Sequence, residues 1–375
     1  MIILFKYTRA LVFIFLTVVC QSTALATVFD QNQITDFQII APFSQIKEAK
    51  SKYLFLDLKK QKFEGAIQYK TNEGTLVQIP ATISFKGFSS LSCPLPKLEF
   101  KFKKIDGTIF QGMKKVDLHT HCGEIKDLPN NNLVKSMYFA HREVSAYRIL
   151  QILEMQSFQA LPIAVEYLDS TSLQNPELAP HKKYQAFFLE DKSEFKKRKN
   201  VTDIMATNDA LKEIDIQAGK TTRDQYIYEN AEAHKNILNS IELAKIEFVQ
   251  NLIGNMDWFL KAHPDDYRFE NSDNKAELWN ARIFQTLSGE WLPMIQDFNF
   301  SSLAMYGKSD TSFPIEIKLF HRLNSSERED LLHYLSIKKT EILNSIQFLS
   351  TDPQFLVLQK TLNERFVQIM KEYQK

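Results

Sequence analysis

The chain predicts an α+β architecture in two lobes, a β-rich N-lobe carrying one helix (residues 27–190) and a helical C-lobe (residues 191–375). Three observations predict it. Residues 28–120 repeatedly alternate apolar and polar side chains, the period of strands. Residues 237–254, and the chain from Ser325 on, place apolar residues at helical spacing. Between these blocks lie one helix, two strands and a charged linker. With 44% hydrophobic residues and 29 Phe, the chain can bury a large core.

Each element has its own signal. Tyr53-Leu54-Phe55-Leu56 is an apolar run read as strand. Gly65 to Tyr69 and Ala81 to Phe85 alternate, with Asn72-Glu73-Gly74 as a turn between them. Leu98 to Phe102 alternates cleanly, and Val116 to His119 follows the turn-like Gln111-Gly112. Together these read as an antiparallel sheet. A helix is expected from near Asn132, with Leu133, Met137, Ala140, Val144, Tyr147 and Leu150 on one face. Ile163 to Tyr167 and Tyr184 to Leu189 are two further strands. Residues 191–235 are charged and weakly periodic, and read as an insertion or lid. The apolar stripe from Ile237 to Ile253 predicts a helix ending at Gly254. A hairpin follows, Ala281 to Thr286 and Trp291 to Ile295, turning at Gly289-Glu290.

The first 26 residues read as a secretory leader, 1–26. Lys6 and Arg9 form a basic start, Leu11 to Cys20 an apolar core, and Ala24-Leu25-Ala26 a small-x-small cleavage site. The apolar run is too short for a membrane span, and no later segment is a candidate. Val19 stands where a lipoprotein signal wants a small residue ahead of Cys20. The expectation is an exported protein that is periplasmic, at the cell surface or secreted. Cleavage removes two cations and no acid, so the net charge drops from +1 to −1. That balance gives no electrostatic case for nucleic acid or an anionic membrane as main partner. The basic run Lys196-Lys197-Arg198-Lys199 reads as a solvated face before it reads as a phosphate patch. Cys93 and Cys122 outlast cleavage, and an isolated pair in an oxidising compartment reads most simply as a disulfide. A metal reading stays open, because His119 and His121 cluster with Cys122.

Two acidic motifs carry chemistry. Asn255-Met256-Asp257-Trp258 ends the amphipathic helix, and Gln296-Asp297-Phe298-Asn299 closes the hairpin. One Asp at a helix-to-loop junction and one just after a strand is how kinase-like enzymes divide their work. The first orients the acceptor hydroxyl, and the second holds Mg²⁺ on the nucleotide phosphates. The element order agrees with that layout, so the fold expected is an atypical protein-kinase-like one with two lobes.

The chain resembles the spore coat protein H (CotH) kinase family, in a divergent secreted bacterial branch, over roughly residues 45 to 310. Phe85-Lys86-Gly87-Phe88-Ser89-Ser90 resembles the family's glycine-serine segment, with Lys86 where Arg is usual. Pro96-Lys97-Leu98-Glu99-Phe100 resembles the Pro-Lys strand, and Phe187-Phe188-Leu189-Glu190 the strand before the inter-lobe connection. Asn255-Met256-Asp257 resembles the catalytic-loop Asn-x-Asp, and Asp297-Phe298-Asn299 the Asp-x-Asp metal motif. Cys93 and Thr120-His121-Cys122 fit the branch that carries two such cysteines.

The resemblance implies an ATP- and Mg²⁺-dependent phosphoryl transfer to protein hydroxyls. It implies catalytic roles for Asp257 and Asn255 and nucleotide binding by Lys97, Ser89, Ser90 and Glu190. Asp297, Asn299 and Asp265 or Asp266 become metal ligands. Lys101 competes with Lys97 on the same strand, and Glu143 is the candidate anchor for that Lys. Trp258, Phe298 and His263 read as packing residues. Three departures point to an alternative, a weak or inactive pseudokinase serving as a periplasmic or surface binding module. The family's Asn after the catalytic Asp is missing from Ala262-His263-Pro264-Asp265-Asp266. Asn299 replaces the second acid, and Gly87 is the only glycine between Ser84 and Ser92.

Overall fold

The computed structural model describes residues 28–30, 35–53, 55–87, 89–93, 95–120, 138–171, 182–203, 238–260, 278–299, 301–306 and 313–375. Seven strands form a closed barrel: β1 (Thr35–Ala41), β2 (Lys62–Lys70), β3 (Leu76–Phe85), β4 (Leu98–Phe102), β5 (Lys115–His119), β6 (Ala160–Asp169) and β7 (Lys183–Glu190). Their order around the barrel is β1-β2-β3-β4-β5-β7-β6. Every neighbouring pair is antiparallel except β1 and β6, which run parallel from Thr35↔Ile163 to Ala41↔Asp169 and close the ring. The alternation seen in the sequence is the inside-outside alternation of these strands. Phe37, Ile39, Ile67, Ile83, Phe100 and Phe188 belong to one buried core, where Phe37 meets Phe188 edge-on at 5.0 Å.

The expected two-lobed kinase-like fold with a helical C-lobe is overturned by this architecture. β1 pairs with β2 on one side and β6 on the other, so the sheet has no edge. The C-terminal half also contains a three-stranded sheet, β12-β11-β8, made by β8 (Val201–Asp203), β11 (Ala281–Thr286) and β12 (Trp291–Ile295). A short pair, β9 (Phe259–Leu260) and β10 (Leu278–Trp279), precedes the hairpin. The apolar run at Tyr53 is also not a strand. Helices α1 (Phe43–Lys52) and α2 (Phe55–Lys60) occupy that region, and α1 buries Phe43, Ile46 and Ala49 along one face.

Helix α3 (Phe139–Ile152) lies between barrel and C-terminal half and is buried on nearly all sides. It packs on β6 and β7, where His141 Nε2 is 2.8 Å from the Ile163 carbonyl oxygen. Arg142 makes a buried two-pronged pair with Asp352, at 2.6 and 2.9 Å. The second core gathers α3 with α5 (Ser240–Ile253), α8 (Ser325–Asn344), α9 (Phe355–Tyr373) and the β11–β12 hairpin. The linker expected from 191 begins as helix α4 (Lys192–Lys199) and β8, with Phe195 and Val201 buried. Its remainder, like the leader, Cys122, Asp265, Asp266 and His263, lies outside the described residues. Two short helices, α6 (Ser302–Tyr306) and α7 (Lys318–His321), complete the α-helices among the described residues. Among the described residues no helix is long and apolar enough to cross a membrane.

Candidate active site

The fold brings two distant motifs together. Lys97 stands immediately before β4, and its backbone carbonyl accepts the Lys86 N–H at 2.9 Å. Gly87, at φ +75°, turns the chain away there. The Lys97 ammonium reaches Asp297, 200 positions on, with Nζ 3.5 Å from Oδ1. Burial works against the charge on Lys97, but Asp297 and Glu143 more than offset it and hold its pKa above the ordinary value. Glu143, from α3, is 1% exposed. The competing Lys101 lies exposed on the barrel surface.

Asp297 sits just past β12 in a left-handed conformation, φ +61°, that non-glycine residues adopt at a cost of about 1–3 kcal/mol. What holds it there is its neighbour. The Phe298 ring is fully buried and meets Tyr147 of α3 edge-on at 4.9 Å. Burial, with Glu143 and Asp297 nearby, raises the Tyr147 hydroxyl pKa well above its usual value, so it stays protonated. Asn299 is 6% exposed, and its Oδ1 has no hydrogen-bond partner among the described residues. A buried, unsatisfied amide oxygen two positions from a carboxylate suits a hard cation that takes oxygen ligands. The donor chemistry therefore fits Mg²⁺.

The second acid is held close by. Helix α5 ends at Gly254, φ +63°, whose carbonyl accepts the Ser302 N–H at 3.0 Å. Asn255, 1% exposed, donates to Gln250 Oε1 at 2.9 Å, and its own Oδ1 accepts the Asp257 N–H at 3.1 Å. Asn255 therefore braces the loop that carries Asp257. Asp257 is partly exposed and is bonded by Asn280.

The other expected nucleotide contacts are placed differently. Ser90 Oγ is buried and donates to the Lys86 carbonyl at 2.7 Å, closing the Ser89–Ser92 turn. Ser89 lies in the same turn. The Glu190 carboxylate is occupied by Arg198, at 2.7 Å to each oxygen, and accepts the Gln159 N–H at 3.1 Å. Arg198 and Lys197 of the basic run thus serve local ties, Lys197 to the Gly112 carbonyl at 2.8 Å.

Sequence reading missed a charge cluster beside Lys97. Lys86 contacts Asp191 at 2.9 Å, Asp117 at 3.1 Å and Glu99 at 3.4 Å. Glu99 and Asp117 are partners across β4 and β5, and Asp191 caps α4. Burial pushes Asp117 up to about 7 despite Lys86. Asp191 goes the other way: against burial, Lys86 and Ser193 bring it down to about 2. The His119 ring of β5 packs against Phe187 at 4.5 Å, tilted by 47°, with Nδ1 4.0 Å from Glu143. Burial, then Lys97 and Lys86, hold its pKa well below the usual value, so it is neutral near pH 7. The alternation of Glu99, Asp117 and His119 on strands was visible, but their convergence depends on barrel register.

Comparison with protein-family models finds no match, and no curated protein matches the chain either.

Proposed function

We propose that the protein is an exported phosphotransferase of CotH-like type, using ATP and Mg²⁺ to phosphorylate hydroxyls of a protein substrate. The support is a side-chain constellation and not the overall layout, which is a barrel. The observation that carries the reading is the meeting of Lys97 with Asp297 at 3.5 Å, with Glu143 buried behind the lysine. A lysine held charged by two carboxylates is a cation ready for the nucleotide's α- and β-phosphates. Asp297 and Asn299 supply oxygens for Mg²⁺, which when bound offsets the charge on the phosphates. Asp257, braced by Asn255, orients the acceptor hydroxyl and takes its proton. The near-neutral mature charge favours a protein acceptor over nucleic acid.

A second reading has its own observation. Asn299 is neutral and Asp297 is already paired with Lys97. A binding module that holds nucleotide without turnover fits that weaker charge compensation.

The experiment is a thermal shift on purified residues 27–375 with millimolar ATP and Mg²⁺. At one hundred times the dissociation constant, binding stabilises the fold by about 2.7 kcal/mol. Asp297→Ala should remove the shift. Asp257→Ala should keep the shift and abolish transfer to protein. No shift in the wild type sinks the nucleotide reading, and a shift without transfer to any protein selects the binding module.

A further inference from the structure

The junction between the barrel and α4 gathers lysines that its acids do not neutralise. β4 and β5 pair so that Lys101 stands directly opposite Lys115. Like charges at opposed strand positions destabilise a sheet. Lys115 is relieved by Glu99 at 3.1 Å, whereas exposed Lys101 is paired with no acid among the described residues. The Phe102 N–H donates to the Lys114 carbonyl at 3.0 Å, which sets exposed Lys114 beside the pair. Helix α4 continues the same face. Its Glu194 accepts the Lys114 N–H at 2.7 Å, and its Lys197 Nζ donates to the Gly112 carbonyl at 2.8 Å. The last turn of α4 is Lys196-Lys197-Arg198-Lys199. Burial, then the Arg198 charge, holds the Lys199 pKa below its ordinary value. The acids nearby are engaged or turned inward. Glu194 is 8% exposed, buried Glu190 holds Arg198, and Glu64 meets Lys103. Asp106 is exposed, in the turn after Lys103-Lys104. Cations suit the C-terminal end of a helix, which accounts for the run on α4. That effect does not account for Lys101, Lys114 and Lys115.

We propose that this face, from Lys101 across Lys114 and Lys115 to Lys196 and Lys197, is a docking surface for an acidic segment of a partner protein. Carboxylates of such a segment sit between the strand lysines and the helix lysines and relieve the repulsion that the free protein tolerates. A short acidic segment suits the charge distribution better than a nucleic acid does. The whole chain carries a formal charge of only +1, and these cations are confined to one junction. Glu99 links Lys115, at 3.1 Å, to Lys86, at 3.4 Å, so the docked segment lies next to the charge cluster beside Lys97. The proposal stands apart from the phosphotransferase reading, because it needs neither nucleotide nor metal.

Fluorescence anisotropy on the purified protein tests it, with a labelled peptide of about twelve alternating Glu and Ser residues as the probe. A Gln-Ser peptide of the same length and a single-stranded oligonucleotide of equal charge are the comparisons. The variant combines Lys101→Glu, Lys114→Glu and Lys196→Glu. None of these side chains is paired with an acid among the described residues, so reversal leaves the fold's own ion pairs in place. Lys371→Glu, on exposed α9 surface, is the control reversal. The wild type should bind the Glu-Ser peptide and not the Gln-Ser one, more weakly as salt rises. Triple reversal should weaken binding at least about 10-fold, and Lys371→Glu should leave it unchanged. Should the triple variant fold poorly, Lys101→Gln with Lys114→Gln must still weaken binding. No binding of the acidic peptide by the wild type, undiminished binding by the lysine variants, or an equal loss in Lys371→Glu overturns the proposal. Tighter capture of the oligonucleotide than of the peptide also overturns it and marks a nucleic-acid face instead. Phosphate transfer enters none of these readouts, so failure here leaves the phosphotransferase reading standing.

Discussion

Asp352→Ala is the most informative single substitution outside the site. Asp352 precedes α9 and pairs with Arg142 of α3, with the side chains 0% and 3% exposed. Both guanidinium contacts are short, 2.6 and 2.9 Å, and Asp352 Oδ1 also accepts the Gln354 N–H at 2.8 Å. Removing the carboxylate leaves a buried, permanently charged guanidinium without its counter-ion, which costs about 3–5 kcal/mol. At roughly 2 °C per kcal/mol for a chain this long, the melting temperature should fall by about 6–10 °C. Arg142→Met with Asp352→Leu removes both charges and should recover most of the loss, because the penalty comes from the orphaned charge. Urea denaturation of wild type, both single variants and the double variant gives the coupling directly. Arg142 is next to Glu143, so Asp352→Ala should also weaken Mg-ATP stabilisation from far outside the site. A cost below about 1 kcal/mol, or a double variant no better than Asp352→Ala, would refute the account of α3 as clamped by a buried ion pair.

Other outcomes are expected from the remaining contacts. Cys93 is disulfide-bonded, and we expect Cys122 as its partner; non-reduced peptide mass spectrometry of protein isolated from an oxidising compartment should find the crosslink, and two free thiols would end the idea. Closing about 29 residues, the bond should contribute roughly 3–4 kcal/mol, measurable as lost stability on reduction. Asp117 binds its proton more tightly folded (about 7) than its ordinary 3.8, so it contributes stability that is lost as pH rises through that window. Asp117→Asn should therefore make the decline in stability from pH 5 to 8 shallower, and parallel profiles for variant and wild type would contradict this. Asp191 acts oppositely, its contribution disappearing only as pH falls from 3.8 toward 2. Gly254→Ala should cost about 1–3 kcal/mol by denaturant titration, since φ is +63° and a Cβ would lie 2.3 Å from Ser302 Oγ; a neutral result would mean the α5 end can relax.

Local patterns were legible where local physics decides. Ala281–Thr286 and Trp291–Ile295 form the expected hairpin, and α5 ends at Gly254 because only a left-handed residue continues the chain there. β2 to β5 follow their alternation. The closure of the barrel was not legible. It depends on residues 35–41 pairing in parallel with residues 163–169, a contact that leaves no mark at the scale of a turn or period. The run at Tyr53 failed for another reason: four apolar residues fit a strand or a helix turn equally well, and here Phe55–Lys60 is helical. In α1, the spacing of Phe43, Ile46 and Ala49 could have been recognised as helical. In the site, Lys97, Asn255, Asp257 and Asp297 carried motif signals. Asn280 and Lys86 reach their partners through φ and strand register, which no short motif encodes.

The way these pieces meet explains how a barrel can present such a site. Lys97 belongs to the barrel and Asp297 to the C-terminal sheet, so neither element alone sets their separation. Helix α3 does. Glu143 and Tyr147 are one turn apart on it, the first acting on Lys97 and the second packed on Phe298. The same helix is tied to β6 through His141 and to the start of α9 through Arg142. A closed barrel has no free edge along which β4 could slide to absorb an error. The geometry at Lys97 must then be set by how α3 is seated, which makes buried contacts far from Lys97 and Asp297, such as Arg142 with Asp352, part of what places the charges.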